Sequence, residues 1–377
     1  MPHLTEQTTE VRGFQILVEA LRLWDIYEPA HPEHAGKIVD FFLLVEQAFA
    51  RTIGSERWTL PGSTRVKARQ HEWPYISVND RSWHTLGDQK GNGIWGLYRG
   101  AARRAGLIAE DMIRLSDSTH AVAQRHQCLG KSARRCFFDL AKQALADPAK
   151  AVALPLDGRN ALIRDIHGSF EKIPLADHLR EKLLDGHALN RALADKLKGI
   201  TALDHRTFVK EARMDLPDHR EALDNAVRCE NLLAVLESVF FWLCAPERRG
   251  QRLDAAAKDL PADPAAIEEA RRRFAESGRY GNGTAETRRK ALLNDLVTSD
   301  KEALAKSVLR LHENVSSARG RAEWVWEEDG RLHGDVDPGE PSDHEFQAGV
   351  VWRNDYYLRP LMLIAGHFAD AGERTAR

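Results

Sequence analysis

Apolar positions recur at helical spacing almost from the start of the chain. Val11, Phe14, Ile16, Leu17, Ala20, Leu21 and Trp24 form a stripe within residues 6–27, and Pro29 and Pro32 end the run. Ile38, Phe41, Phe42, Val45 and Phe49 give residues 34–53 a second broad apolar face, so the two segments predict a helical hairpin. Residues 55–83 hold many aromatic and turn residues but no sustained period. They predict a loop with one short strand at Tyr75-Ile76-Ser77-Val78. Beyond residue 133, helical runs separated by Pro and Gly are expected at 134–146, 158–168, 175–198, 206–214, 218–244, 264–277, 285–298 and 300–315. The longest, opened by a capping-box-like Asp218 and Glu221, predicts a central core helix. Residues 247–266 read as a boundary or surface excursion. Asp329-Gly330 at the centre of an alternating stretch, 322–336, predicts a β-hairpin, because Gly accepts positive φ without steric cost. A closing helix is expected over 345–368, bent at Pro360. The fold class is mainly α, multi-helical, with two expected domains, 1–133 and 134–377.

Between these runs lies GNGIWGLYRGAARRAGLIAEDMIRLSDSTHAVA, residues 91–123. Ile94, Leu97, Tyr98, Ala101 and Ala105 make a buried helical stripe, and Trp95, Arg99 and Arg103 lie four apart on a neighbouring row expected to face outward. An exposed aromatic with guanidinium groups one turn apart can stack on a base and grip phosphates, and a helix N-terminus behind Gly93 would favour anions. Helix, Gly106-Leu-Ile108, a turn, a short strand at 112–115, and Ser116 opening another helix resemble the end of a winged helix-turn-helix domain. The resemblance implies a module that touches nucleic acid, and such modules also dock proteins or serve as scaffolding. In that last role Arg99 and Arg103 would pair with Glu110, Asp111 or the acidic N-terminal hairpin.

Charge separates these uses. The net charge is −2, yet residues 51–136 hold fifteen Lys/Arg against seven Asp/Glu, while residues 1–50 hold three against eight. Concentrated positive charge is what a phosphate-binding surface needs. Arg65, Lys67 and Arg69 alternate, and in an extended strand all three would point one way. The candidate contacts to nucleic acid, most simply DNA, are therefore Arg65, Lys67, Arg69, Trp95, Arg99, Arg103, Arg104, Arg134 and Arg135.

No cofactor or metal is called for. Leu129-Gly130-Lys131-Ser132 imitates the end of a P-loop, but residue 125 is Arg where its first glycine would fall, and no apolar strand precedes it. Cys128, Cys136, Cys229 and Cys244 lack ligand spacing, and His126 beside the first two leaves a zinc site a ligand short. Asp80 with Asp88-Gln89-Lys90 is loosely like the carboxylate-and-lysine set of metal-dependent nucleases, and His312-Glu313 could supply acid/base chemistry, although H-E-x-x-H is absent. Arg288 and Arg289, after the glycine-rich loop 279–284, make either an anion site or an ordinary interhelical connection. No apolar run reaches the roughly 20 residues a bilayer span takes, so no membrane partner is expected. No signal-like segment opens the chain, and a cytoplasmic location follows.

Asp40-Phe41-Phe42-Leu43-Leu44, Pro61-Gly62-Ser63-Thr64 and Gly93-Ile-Trp-Gly-Leu-Tyr-Arg99 are similar to segments of uncharacterised helical proteins encoded in prokaryotic antiviral defence islands. This resemblance covers the N-terminal third. It implies an accessory subunit beside a separate helicase, ATPase or nuclease, and it transfers no catalytic residue. The expected function is a non-enzymatic nucleic-acid-binding accessory protein with protein partners. The alternatives are an interaction subunit that docks through the winged module, and a metal-dependent nuclease or hydrolase.

Overall fold

The computed structural model describes residues 8–54, 57–68, 75–110, 113–200, 202–277, 284–318, 321–354 and 358–375, the side chains of 67, 68, 284, 285 and 369–375 excepted. The described chain is mainly α, with two small two-stranded antiparallel sheets. It divides into two compact units, residues 1–200 with 356–377, and residues 201–355. The division thus runs elsewhere than between residues 133 and 134.

In the first unit α1 (Val11–Ala30) and α2 (Ile38–Ile53) form the expected hairpin, α1 continuing through Pro29. Both are buried on nearly every side, so their polar residues go inside as well. Gln15, Glu19, Arg22, Glu46, Gln47 and Arg51 are each at most 8% exposed. A buried polar group costs several kcal/mol unless it is paired, roughly 2–7 for a neutral one, and distant segments supply the partners. Arg22 grips Glu19 through two hydrogen bonds, of 2.6 and 2.8 Å, while the Leu129 N–H donates to Glu19 Oε1 at 3.0 Å. Gln15 donates to the Ser169 carbonyl at 2.9 Å. Gln47 exchanges two 2.9 Å bonds with the Ser77 backbone.

Next come α3 (Ser63–Ala68), β1 (Tyr75–Ile76), α4 (Gln89–Asn92), α5 (Ile94–Arg104), α6 (Asp117–Arg125) and α7 (Lys131–Ala146). Then follow β2 (Val152–Ala153), α8 (Ala161–Lys172), α9 (Ala176–Arg180) and α10 (Ala188–Leu197). β1 pairs with β2, Tyr75 opposite Ala153. α7 and α8 pack together and both pack on α2, which is why the first unit extends past residue 133. The run expected over 175–198 is interrupted by a wider turn at Glu181–Asp185 and by Gly186.

The second unit holds α11 (His205–Asp215), α12 (Arg220–Cys244), α13 (Leu253–Lys258), α14 (Pro264–Ala275), α15 (Thr284–Asp295), α16 (Lys301–Ala318), β3 (Val325–Glu328) and β4 (Arg331–Gly334). α12 is its core helix, packed by α11, α14 and α16. Asp218 does not cap it, because Pro217–His219 form a 3-10 turn and the helix begins at Arg220. Residues 247–266 are not an excursion: Leu253, Ala256, Ala257, Leu260 and Ala262 are buried in the same core as Leu232 and Val239. The β3–β4 hairpin turns at Asp329 (φ 52°) and Gly330 (φ 72°), the left-handed pair of a two-residue hairpin turn.

The chain ends in α17 (Leu358–Thr375), part of the first unit, where it packs on α10. The helix expected over 345–368 begins only at Leu358, since Pro360 has no N–H to donate and is tolerated in a first turn. A 3-10 turn, Asp343–Phe346, stands where that helix was expected to start. On α17, His367 Nε2 lies 3.3 Å from Glu10 Oε2, which also accepts from Thr59 Oγ1 at 3.0 Å, and Glu10 Oε1 accepts from Arg12 Nη1 at 3.0 Å.

Burial alone would raise the Glu10 pKa, but the contacts with His367 and Arg12 outweigh it and hold the carboxyl at about 2. Its folded value lies below the unfolded one, so it stabilises the fold above the unfolded pKa and loses that contribution as pH falls. We expect on the order of 3 kcal/mol to disappear between about pH 4.5 and pH 2. Urea midpoints across this range test it: Glu10→Gln should be less stable at pH 6 and should flatten the acid limb, and an unchanged limb would refute the assignment.

Candidate nucleic-acid interface

The candidate row depends on how α5 is held. Asp88 accepts from the Gly91 N–H at 3.1 Å and starts α4, and the chain bends at Gly93 into α5. A side chain at Gly96 would collide with the Gly91 carbonyl, so the bend can be this tight only with glycine there. Buried Glu46 closes the junction from α2, its Oε1 accepting from the Ile94 N–H at 3.2 Å. α5 packs on α1, α2 and α4. Ile94, Tyr98 and Ala101 face inward, with Tyr98 edge-on to Phe14 at 5.0 Å.

Three expectations about this stretch change. Trp95 does not face outward; it is 5% exposed, with its ring 5.2 Å from that of Phe42, and no base can stack on it. The N-terminus of α5 is not an open anion site, since Glu46 already occupies the Ile94 amide inside the protein. Arg65 and Lys67 do not lie on an extended strand, because residues 63–68 are helical. Arg65 is half-buried and donates to the Arg81 carbonyl at 2.9 Å. The Lys67 side chain and Arg69 lie outside the described residues.

The row itself forms. Arg99 and Arg103 lie one turn apart, both part-exposed, and the Arg99 guanidinium sits over the Trp95 ring at 5.0 Å. Trp95 thus becomes a platform that fixes the guanidinium plane. Arg103 Nε is buried and has no hydrogen-bond partner among the described residues. Exposed Arg104 follows in the last turn, where cations also offset the helix dipole. After α5, Ile108 and Leu115 form one antiparallel bridge. The Ser116 hydroxyl donates to the Gly106 carbonyl at 2.7 Å while capping α6. In place of the strand expected over 112–115 the described residues show only the bridge at Leu115, with 113 and 114 in a bend, and Met112 lies outside the described residues.

Arg134 closes the first turn of α7 and Arg135 follows it, on a helix that packs on α2 and α8, whereas α5 packs on α1, α2 and α4. Lys131 is exposed in the same turn, which contains no acidic residue. Among the described residues no carboxylate pairs with Arg99, Arg103, Lys131, Arg134 or Arg135. The wider basic surplus is partly consumed: Arg51 is buried, Arg57 pairs with Glu171 at 3.0 Å, and Lys90 pairs with Asp40 at 2.8 Å.

No family model, curated protein or solved structure matches the chain.

The other candidate chemistries have structural occupations. In the P-loop look-alike, the Leu129 amide is taken by Glu19 and the Gly130 amide by Asp165 at 2.8 Å, so two N–H groups that a phosphate would need face the protein's own carboxylates. Cys128 is buried, and burial pushes its thiol pKa well up. Asp80 caps a 3-10 turn by accepting from the Ser82 N–H at 3.0 Å. His312 Nε2 accepts from the Trp324 N–H at 2.9 Å, and its ring lies 4.6 Å from Phe240; burial lowers its pKa, so the imidazole is neutral with its lone pair in use. Arg289 donates to the carbonyls of Phe274, Ala275 and Ser277, closing the end of α14.

Sequence reasoning missed the buried pair Glu46 and Gln89 at the α4–α5 junction. Its trace is the polar pair Glu46-Gln47 set in an otherwise apolar helix. Glu46 is fully buried, its Oε2 has no partner among the described residues, and burial pushes its pKa up to about 7 despite bonds from Gln89 and Ile94. Because the folded state holds this proton above the unfolded pKa, stability falls as pH rises from about 4.5 to about 7, by up to about 3 kcal/mol. Glu46→Gln should remove this loss and raise the urea midpoint at pH 7.5 relative to wild type. An equal midpoint would show that the carboxyl ionises freely in the fold.

Proposed function

We propose that the chain is a non-enzymatic accessory protein that binds nucleic acid, most simply duplex DNA, through the Arg99–Arg103 row of α5, with Arg104 beside it. One contrast carries this reading. On α14 and at the start of α16, named cations are matched by carboxylates one turn away: Arg271 with Glu268 and Arg272 with Glu269 at 2.7 Å, Arg273 with Glu269 at 2.7 Å, Lys306 with Glu302 at 2.7 Å. Arg99 and Arg103 have no such match among the described residues, which do not include Asp111. Phosphate oxygens supply the acceptors that this arrangement lacks. With Trp95 buried, the contact is to the backbone and carries no base readout, so affinity follows salt and not sequence. Lys131, Arg134 and Arg135 on α7 extend the reading as a second basic patch.

The winged-helix order of residues 94–125 supports the same reading, and the defence-island resemblance gives it a setting: a cytoplasmic subunit that holds nucleic acid for a separate motor or nuclease. Two glycines of the resembling segments have physical reasons to be there. Gly62 has φ +85°, and a side chain on it would come within 2.6 Å of the Thr85 carbonyl; Gly96 makes the bend before α5.

Arg99→Gln with Arg103→Gln should weaken binding to a labelled duplex at low salt without lowering the melting temperature. It should also reduce the magnitude of the slope of log affinity against log salt by about 2, close to 0.9 for each phosphate no longer neutralised. Arg271→Gln with Arg272→Gln, which removes cations already paired, should leave affinity unchanged. Equal weakening by both doubles, or none by the first, would reject α5 as the interface.

A further inference from the structure

A chain of buried polar groups runs through the first unit and ends at the helix that carries the arginine row. Gln47 Nε2 donates to the Ser77 carbonyl at 2.9 Å and to Gln89 Oε1 at 3.2 Å, and the Thr85 N–H donates to the same Gln89 oxygen at 3.3 Å. With its oxygen taken twice, Gln89 has only its amide nitrogen left, shared between the Leu43 carbonyl at 3.5 Å and Glu46. The Ile94 N–H donates to Glu46 Oε1 at 3.2 Å. Both groups that meet Glu46 are donors, yet the carboxyl is 0% exposed and its Oε2 has no partner among the described residues.

The surroundings give an ionised Glu46 no counter-charge. On α2 itself, Arg51 is turned to the Gln47 and Trp83 carbonyls, and Asp40 pairs with Lys90 of α4 at 2.8 Å. Asp88 is spent on the Gly91 amide. On α1, Glu19 and Arg22 hold each other, and Glu10 is held by Arg12 and His367. From α5 comes the Tyr98 hydroxyl, whose pKa is pushed up by burial and then by the charges of Glu10 and Glu46. A lone carboxylate in a dry site takes up a proton or draws water and backbone amides to itself. The backbone beside it is glycine: Gly93 joins the four-residue α4 to α5, and a side chain there would lie 2.9 Å from both Glu46 oxygens. The junction therefore fits closely around the carboxyl, at a point where the chain has the freedom to bend.

We propose that Glu46 is a catch on α5 that a proton closes. Protonated, it keeps the junction dry and the Arg99–Arg103 row seated; ionised, it admits water between α2 and Gly93 and frees the first turn of α5. The inference rests on α5 being the nucleic-acid interface and adds the regulation of that site. The folded carboxyl titrates at about 7, above its unfolded value, so the catch is closed below that pH and open above it, where affinity falls. Linkage makes the effect reciprocal: a bound polyanion favours the seated helix, so duplex binding takes up protons near neutrality.

The test uses the full chain between pH 6 and pH 8.5 at fixed ionic strength, with an end-labelled duplex and, in parallel, hydrogen exchange read by mass spectrometry. After correction for intrinsic exchange rates, protection of residues 89–99 should fall at least ~5-fold more than that of residues 162–171 of α8 in the same unit. Duplex affinity should fall by a similar factor. Glu46→Gln keeps the shape without the ionisation and should abolish the extra exchange, leaving duplex affinity only the shallower pH dependence that histidines impose. Uniform loss of protection in both segments of the wild type overturns the catch, because it means global destabilisation. An exchange or affinity profile that is the same in both proteins overturns it as well. Loosening of residues 89–99 as expected, with no duplex bound at any pH, supports the catch and rejects α5 as the interface.

Discussion

Glu19 and Arg22, one turn apart on α1 and each 1% exposed, are the pair on which the N-terminal unit is organised. Their mutual attraction does not by itself offset the removal of two charges from water, and a buried pair is often no more stabilising than packed apolar residues. What it secures is placement. The Leu129 amide donates to Glu19 and the Leu129 carbonyl accepts from Arg22, so the pair holds the connection between α6 and α7 in place. Gln15 acts likewise on the Ser169 carbonyl, and Gln47 on Ser77. α1 and α2 are thereby surrounded instead of exposed along one side, and segments far apart in sequence are drawn to particular atoms on them.

This explains what could and could not be read in advance. Helices whose apolar residues keep a period of 3.6 were legible: α1, α2, α5, α12 and α16 lie close to their expected places, and Asp329-Gly330 marked the hairpin. Legibility failed where a residue's surroundings come from elsewhere in the chain. Trp95 shares a helical row with Arg99, but Phe42 from α2 covers it, which no local pattern records. Residues 247–266 are rich in charge and alanine, yet the small side chains at Ala256 and Ala257 let that segment enter the core of the second unit. Arg65 and Lys67 alternate in sequence, while the turn at Pro61-Gly62 starts a helix there. Of the candidate site, the Arg99–Arg103 spacing was visible, but the absence of an ion-pair partner among the described residues emerges only in three dimensions.

The two units use charge differently. α14 and α16 lace arginine and lysine to glutamate three or four residues away, an arrangement that keeps a helix surface soluble and contributes a few tenths of a kcal/mol per pair. Arg99 and Arg103 on α5, and Lys131, Arg134 and Arg135 near the start of α7, have no carboxylate partner among the described residues, and 0.1 M salt screens their field over about 10 Å.

The chain leaves the N-terminal unit at residue 200 and returns to it only for α17, whose His367 meets Glu10 at the start of α1. One unit is therefore inserted into the other, and α17 brings a segment from after the insert back to the start of α1. During synthesis the insert emerges whole before its host has all its parts, so the order of assembly is reversed relative to a simple chain of domains. For as long as translation of that last stretch takes, α1 waits without its closing contact, and a nascent protein halted there would carry a finished guest on an unfinished frame.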